Sequence, residues 1–109
     1  MSNGSTNDWA DRDKKREAIV KVLRYLAQHP DEALGCVGND QKAHALFKRV
    51  GQIDIPEAKG ARVVIFAPGE KKLGPESSVI IELPEDPAAA AQATDTELLK
   101  YVLGSYSHW

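Results

Sequence analysis

The apolar residues of this chain change from helical to strand period near Ile53, and that change limits what it can fold into. Before it, Ile19, Val22, Leu23, Leu26 and Ala27 recur at helical spacing, with Lys14, Lys15, Arg16, Glu17, Lys21 and Arg24 on other faces. This spacing predicts an amphipathic helix from about Asp11 to Gln28. After the change, Arg62 to Ala67 and Ser78 to Leu83 are dense in β-branched residues and read as two strands. A chain of 109 residues has room for one domain, so both kinds of element belong to a single α+β unit.

Turn formers and capping residues divide that unit further. His29-Pro30 closes the first helix, because the proline ring disfavours helical geometry in the residue before it. Pro30-Asp31-Glu32 then suits the first turn of a short helix over Asp31 to Cys36. Gly38-Asn39-Asp40 supplies a break and a cap for a third helix, whose stripe of Ala43, Leu46, Phe47 and Val50 stops at Gly51. Between the strands, Pro68 to Ser77 is rich in turn formers and too long for a two-residue turn, so we expect a two-stranded antiparallel hairpin with a long exposed loop.

Pro84 to Ala93 reads as a Pro/Ala linker. Thr94-Asp95-Thr96-Glu97 has capping-box spacing and predicts a C-terminal helix from Asp95 to Leu103, ended by Gly104. The expected organisation is a disordered tail over 1–10, one α+β domain over 11–104 and an aromatic tail over 105–109.

Lys and Arg number 14 against 16 Asp and Glu, so no global field draws the chain onto nucleic acid or anionic lipid. Nothing reads as a transmembrane run or a signal peptide, and one cysteine cannot form an internal disulfide, so the expected setting is a reducing cytoplasm.

Candidate chemistry is sparse. His29, His44, His108 and Cys36 fall in no metal-ligand spacing. Cys36 reads as a small buried hydrophobe, His29 as a helix-end residue and His44 as part of a solvated helix face. Asp31-Glu32 and Glu85-Asp86 are adjacent carboxylates, and neighbouring positions point apart rather than converging on one pocket. The basic residues from Lys14 to Arg24 are diluted by Asp11, Asp13 and Glu17 and read as a solvated face. These observations predict no catalytic set, no metal and no cofactor. Tyr101, Tyr106 and Trp109 concentrate aromatic area near the end of the chain.

The order of elements resembles the nitrile-hydratase-α-like leader peptides of ribosomally made, enzymatically modified natural products. The matching pieces are His29-Pro30-Asp31-Glu32-Ala33-Leu34 at the helix break, Ile55-Pro56-Glu57, the strand Arg62-Val63-Val64-Ile65, Leu83-Pro84, and Asp95-Thr96-Glu97-Leu98-Leu99. The chain departs from that family in lacking a Gly-Gly or Ala-Gly pair after the last helix, with five residues beyond Gly104 in place of a long Cys/Ser/Thr-rich core. The Cys-rich metal motif of nitrile hydratase has no counterpart, so nitrile hydration is not implied.

The resemblance implies a carrier whose folded part is docked by a peptide-modifying enzyme and whose terminus receives the chemistry. On that reading Tyr106, His108 and Trp109 are the candidates for modification. The docking surface would be a free edge of either strand, through Arg62, Val64, Val79 and Ile81, together with the helix face of Leu98, Leu99 and Val102. Two other readings stand beside it: a homodimeric interaction module, and an accessory subunit that acts only within a complex.

Overall fold

A computed structural model describes residues 11–69 and 78–104. The expected tails over 1–10 and 105–109, and most of the expected long loop, lie outside the described residues.

The helices begin and end where local chemistry provides for them. The Asp11 carboxylate accepts from the amides of Asp13 (3.0 Å) and Lys14 (3.2 Å), opening α1, Arg12–Gln28. Its apolar stripe, including Ile19, Val22 and Leu26, is buried. Pro30 takes the first position of α2, Pro30–Cys36, where its missing N–H costs nothing. Asn39 caps α3, Asp40–Arg49, accepting from the amide of Lys42 at 3.1 Å.

The chain then turns at Gly51 against α1. A Cβ there would lie 2.8 Å from the Phe47 carbonyl oxygen and 3.2 Å from the Ala18 Cβ. A 3-10 turn, Glu57–Lys59, closes on Gly60 at φ 90°, a left-handed conformation that suits glycine, and leads into the first strand.

The sheet corrects the expected antiparallel hairpin. β1, Arg62–Phe66, and β2, Ser78–Glu82, are parallel, in register from Arg62 opposite Ser78 to Phe66 opposite Glu82. A short β3, Val102–Gly104, pairs antiparallel on the other side of β2, with Val102 opposite Ile81 and Gly104 opposite Val79. The order is β1-β2-β3.

One physical fact permits this arrangement and a second favours it over a hairpin. Residues 67–77 are numerous enough to carry the chain back along a five-residue strand, a return of about 17 Å at the usual rise per residue. In addition, Val79, Ile80 and Ile81 are all buried, so β2 needs cover on both faces and a strand on each side, as strands of parallel sheets do. β1, by contrast, alternates buried Val63 and Ile65 with more exposed neighbours.

The C-terminal helix is also shorter than its spacing predicts. The capping box is formed, with Thr94 Oγ1 accepting from the Glu97 amide (3.2 Å) and Glu97 Oε1 accepting from the Thr94 amide (2.9 Å). The helix α5, Asp95–Leu98, then tightens into a 3-10 turn, Leu99–Tyr101, before the chain joins the sheet as β3. Val102 pairs with β2 instead of extending a helical stripe, because the buried central strand offers ladder bonds on its open side.

The supposed linker contains a helix, α4, Pro87–Ala91, started by Asp86, whose carboxylate accepts from the Ala89 amide at 3.3 Å. Alanine is the best helix former, and Ala90 is buried where α4 lies against α1. Arg24 fastens this junction, donating to the carbonyls of Ala91 (3.1 Å) and Ala93 (3.0 Å) and pairing with Asp95 at 2.8 Å. Arg24 therefore ties α1 to the end of α4, where free carbonyls concentrate negative charge, rather than standing on a solvated face.

Gly51→Ala is expected to destabilise the fold by about 1–3 kcal/mol through the forced contact with the Phe47 carbonyl, read as a lower urea midpoint. Gly35→Ala, whose new Cβ would meet nothing nearer than the Lys42 Nζ at 4.0 Å, is expected to leave stability unchanged or raise it by up to about 1 kcal/mol.

Candidate interaction edges and reactive side chains

The two edges of the sheet differ in what covers them. On β1, the Val63 amide donates to His44 Nε2 at 2.9 Å, across from α3. The Ile65 carbonyl accepts from the Gly38 amide at 3.2 Å, from the turn between α2 and α3. Two main-chain groups of β1 that β2 does not use are thus satisfied within the chain. β2 is paired on both sides. β3 forms the far edge, and no described residue adds a further strand to it.

His44 is held by both ring nitrogens. Because Nε2 accepts from Val63, Nδ1 carries the proton and faces Glu57 Oε2 at 2.9 Å. Only about 10% of its side chain is exposed. The expected solvated helix face is corrected accordingly: His44 is a main-chain cap for β1, and its lone pair is not available to abstract a proton from a ligand.

A second polar group joins α1, α2 and α3 at the surface. Tyr25 donates to Glu32 Oε1 at 2.6 Å, Arg49 reaches Glu32 Oε2 at 2.5 Å, and the Arg49 guanidinium stands 5.6 Å from the centre of the Tyr25 ring. His29 stacks on the same ring at 4.0 Å between centroids, with Nδ1 2.9 Å from the Tyr25 carbonyl oxygen. The hydrogen bond from Tyr25, aided by Arg49, holds the Glu32 carboxyl below its ordinary pKa; the same bond holds the phenol of Tyr25 above its own. These groups stabilise one another at the surface.

Cys36 is buried, and burial, reinforced by the charge of Glu32, pushes its thiol pKa upward, away from the thiolate a nucleophile requires. Among the described residues, no group of three His, Cys, Asp or Glu side chains is placed to hold a metal ion. No described helix is long and apolar enough to cross a membrane.

The residues expected to dock a partner are placed very differently from one another. Val79, Ile81, Leu98, Leu99 and Val102 are buried in the core, Val64 is half-buried, and Arg62 is exposed and paired with Asp40. This conformation offers a partner Arg62 and part of Val64, and keeps the rest inside. Tyr106, His108 and Trp109 lie outside the described residues. Sequence reasoning missed the role of His44, since a contact between a helix and a strand nineteen positions on leaves no local spacing to read.

His44→Ala is expected to leave the buried Val63 N–H without an acceptor, costing about 1–3 kcal/mol, with Val63 amide exchange accelerating more than that of Ile81. Tyr25→Phe removes the bond that depresses Glu32, so its carboxyl is expected to titrate at higher pH, nearer the ordinary range, in carboxyl-carbon NMR. The sign follows from linkage: a depressed carboxyl stabilises the fold above its unfolded pKa, and that contribution is lost as pH falls through the folded value. In Tyr25→Phe the contribution is smaller and its loss is complete at a higher pH; an unmoved Glu32 titration would show that the Tyr25 bond is not what holds the carboxyl down.

No family model, curated protein or solved structure matches this chain.

Proposed function

We propose that this chain is a non-catalytic precursor or scaffold peptide, whose folded body is bound by a peptide-modifying enzyme that acts on the C-terminal tail. Tyr106, His108 and Trp109 are the residues altered, by aromatic cross-linking or oxidation, or by extension or removal at the terminus.

The observation that carries this reading is the inequality of the two sheet edges. The β1 edge is closed by His44 and Gly38, whereas β3 ends the sheet without a described neighbour and runs directly in sequence into Ser105–Trp109. An enzyme strand added to β3 would extend the sheet and bring the enzyme alongside the start of the tail. Holding the tail near an active site in this way raises its effective concentration there. The roles of His44 and Cys36 support the same reading, since one caps β1 and the other is buried in the core. The β3 edge could equally pair with its copy across a two-fold axis, the reading in which the chain is a homodimeric interaction module.

The test is intact mass, with fragmentation of the C-terminal peptide, on protein recovered from its native cell. A mass change or truncation confined to Ser105–Trp109 is the expected result. An unmodified terminus on abundant protein that sediments as a dimer overturns the precursor reading in favour of the interaction module.

A further inference from the structure

At the carboxyl ends of the parallel strands lies a groove of about 190 Å³, walled by Leu34, Leu83, Pro30, Pro68, Pro84 and Pro87. We infer that this groove is a docking site for one large apolar side chain, aromatic or leucine, presented by a partner-protein segment with lysine or arginine on either side of it. The inference rests on the docking reading above only in taking the occupant to be a protein.

Position, size, rigidity and charge each contribute. In open sheets with parallel strands, ligands are bound just beyond the carboxyl ends of the strands; Pro68 lies two residues past β1, and Leu83-Pro84 directly follows β2. The volume is well below the ~300–1,000 Å³ of sites that hold drug-sized molecules or cofactors, and suits a single side chain. Leu34 is the exposed large hydrophobic residue among those described, with 61% of its surface open, so one wall already presents apolar area to water.

The walls are set before anything binds. Four of the chain's six prolines line the groove, each with a fixed φ and no N–H to desolvate. The turn carrying Pro68 is held by the Gly69 amide donating to Glu82 Oε2 at 2.7 Å, and the Leu83 amide bonds the Phe66 carbonyl at 2.9 Å. A preformed site of this kind loses little conformational freedom on binding.

Charge selects the occupant. Glu85 is the ionisable residue of the lining, and exposed Asp31 and Asp86 adjoin Pro30 and Pro87 in sequence. Neither Asp31 nor Glu85 has an ion-pair partner among the described residues. A carboxylate at the mouth of an apolar slot, with further acidic residues close by in sequence, favours cationic flanks over acidic ones.

The test is amide NMR of the full chain titrated with the synthetic peptide Lys-Arg-Phe-Arg-Lys, alongside Lys-Arg-Ala-Arg-Lys and Glu-Asp-Phe-Asp-Glu. The expected result is saturable shifts at Ala33, Leu34, Leu83 and Glu85 with the first peptide, and binding weaker by at least about tenfold with each control. Leu34→Arg, an exposed replacement that leaves the core intact, and Glu85→Lys are each expected to weaken the first peptide several-fold or more. Equal binding of the alanine peptide, or shifts away from the groove, overturns the inference. So do groove amides that move with protein concentration alone, which would assign the groove to a second copy. So do groove amides that move on removal of residues 105–109, which would assign it to the chain's own tail. Peptide binding is read by NMR and tail chemistry by mass, so either reading can fail while the other stands.

Discussion

A strand with no solvent-facing side governs the rest of this structure. Val79, Ile80 and Ile81 project to alternate faces of β2 and all are buried, so the sheet must be covered front and back and β2 must have a neighbour on each side. β1 supplies one and β3 the other. The helical stripes of α1 and α3 bury the remaining apolar area, with Phe47 and Ile19 fully enclosed. Once β2 is central, β1 and β3 are the edges, and the protein has to manage two rows of unpaired main-chain groups. It does so unequally, placing a histidine and a turn on β1 and leaving β3, among the described residues, without a further neighbour.

The helices were legible in the sequence because caps and periodicity are local. Asp11, Asn39 and Thr94 each sit within three residues of the amides they satisfy, and each initiates a helix where its spacing predicts. The direction of β2 was not legible, since a long run of turn formers between two strands permits either a hairpin or a return crossover. One clue was present: Val-Ile-Ile lacks the alternation of a half-exposed hairpin strand. The switch from α5 to β3 was harder still. Leu98, Leu99, Val102 and Leu103 have helical spacing, and only the open side of β2, itself set by long-range packing, makes the extended form preferable. The same limit applies to the candidate site. A capping histidine and a groove assembled from α1, α2, α4 and two strand ends depend on contacts far apart in sequence.

The geometry of β2 also separates the two surfaces proposed for partners. Gly104, the last residue of β3, lies opposite Val79 near the start of β2, whereas the groove is formed beyond Leu83 at its end. A side chain seated in the groove is therefore about one strand length, roughly 17 Å, from Gly104. An enzyme using both surfaces would grip the body at one end of the sheet while engaging β3 at the other. Such an enzyme could tolerate variation in the tail, because affinity would reside in Leu34, the prolines and Glu85. Its rate would instead depend on how closely the tail's reach matches the distance between its docking and active sites. Lengthening the tail would then alter turnover while leaving groove affinity unchanged, a separation that a single binding surface at the tail itself cannot produce.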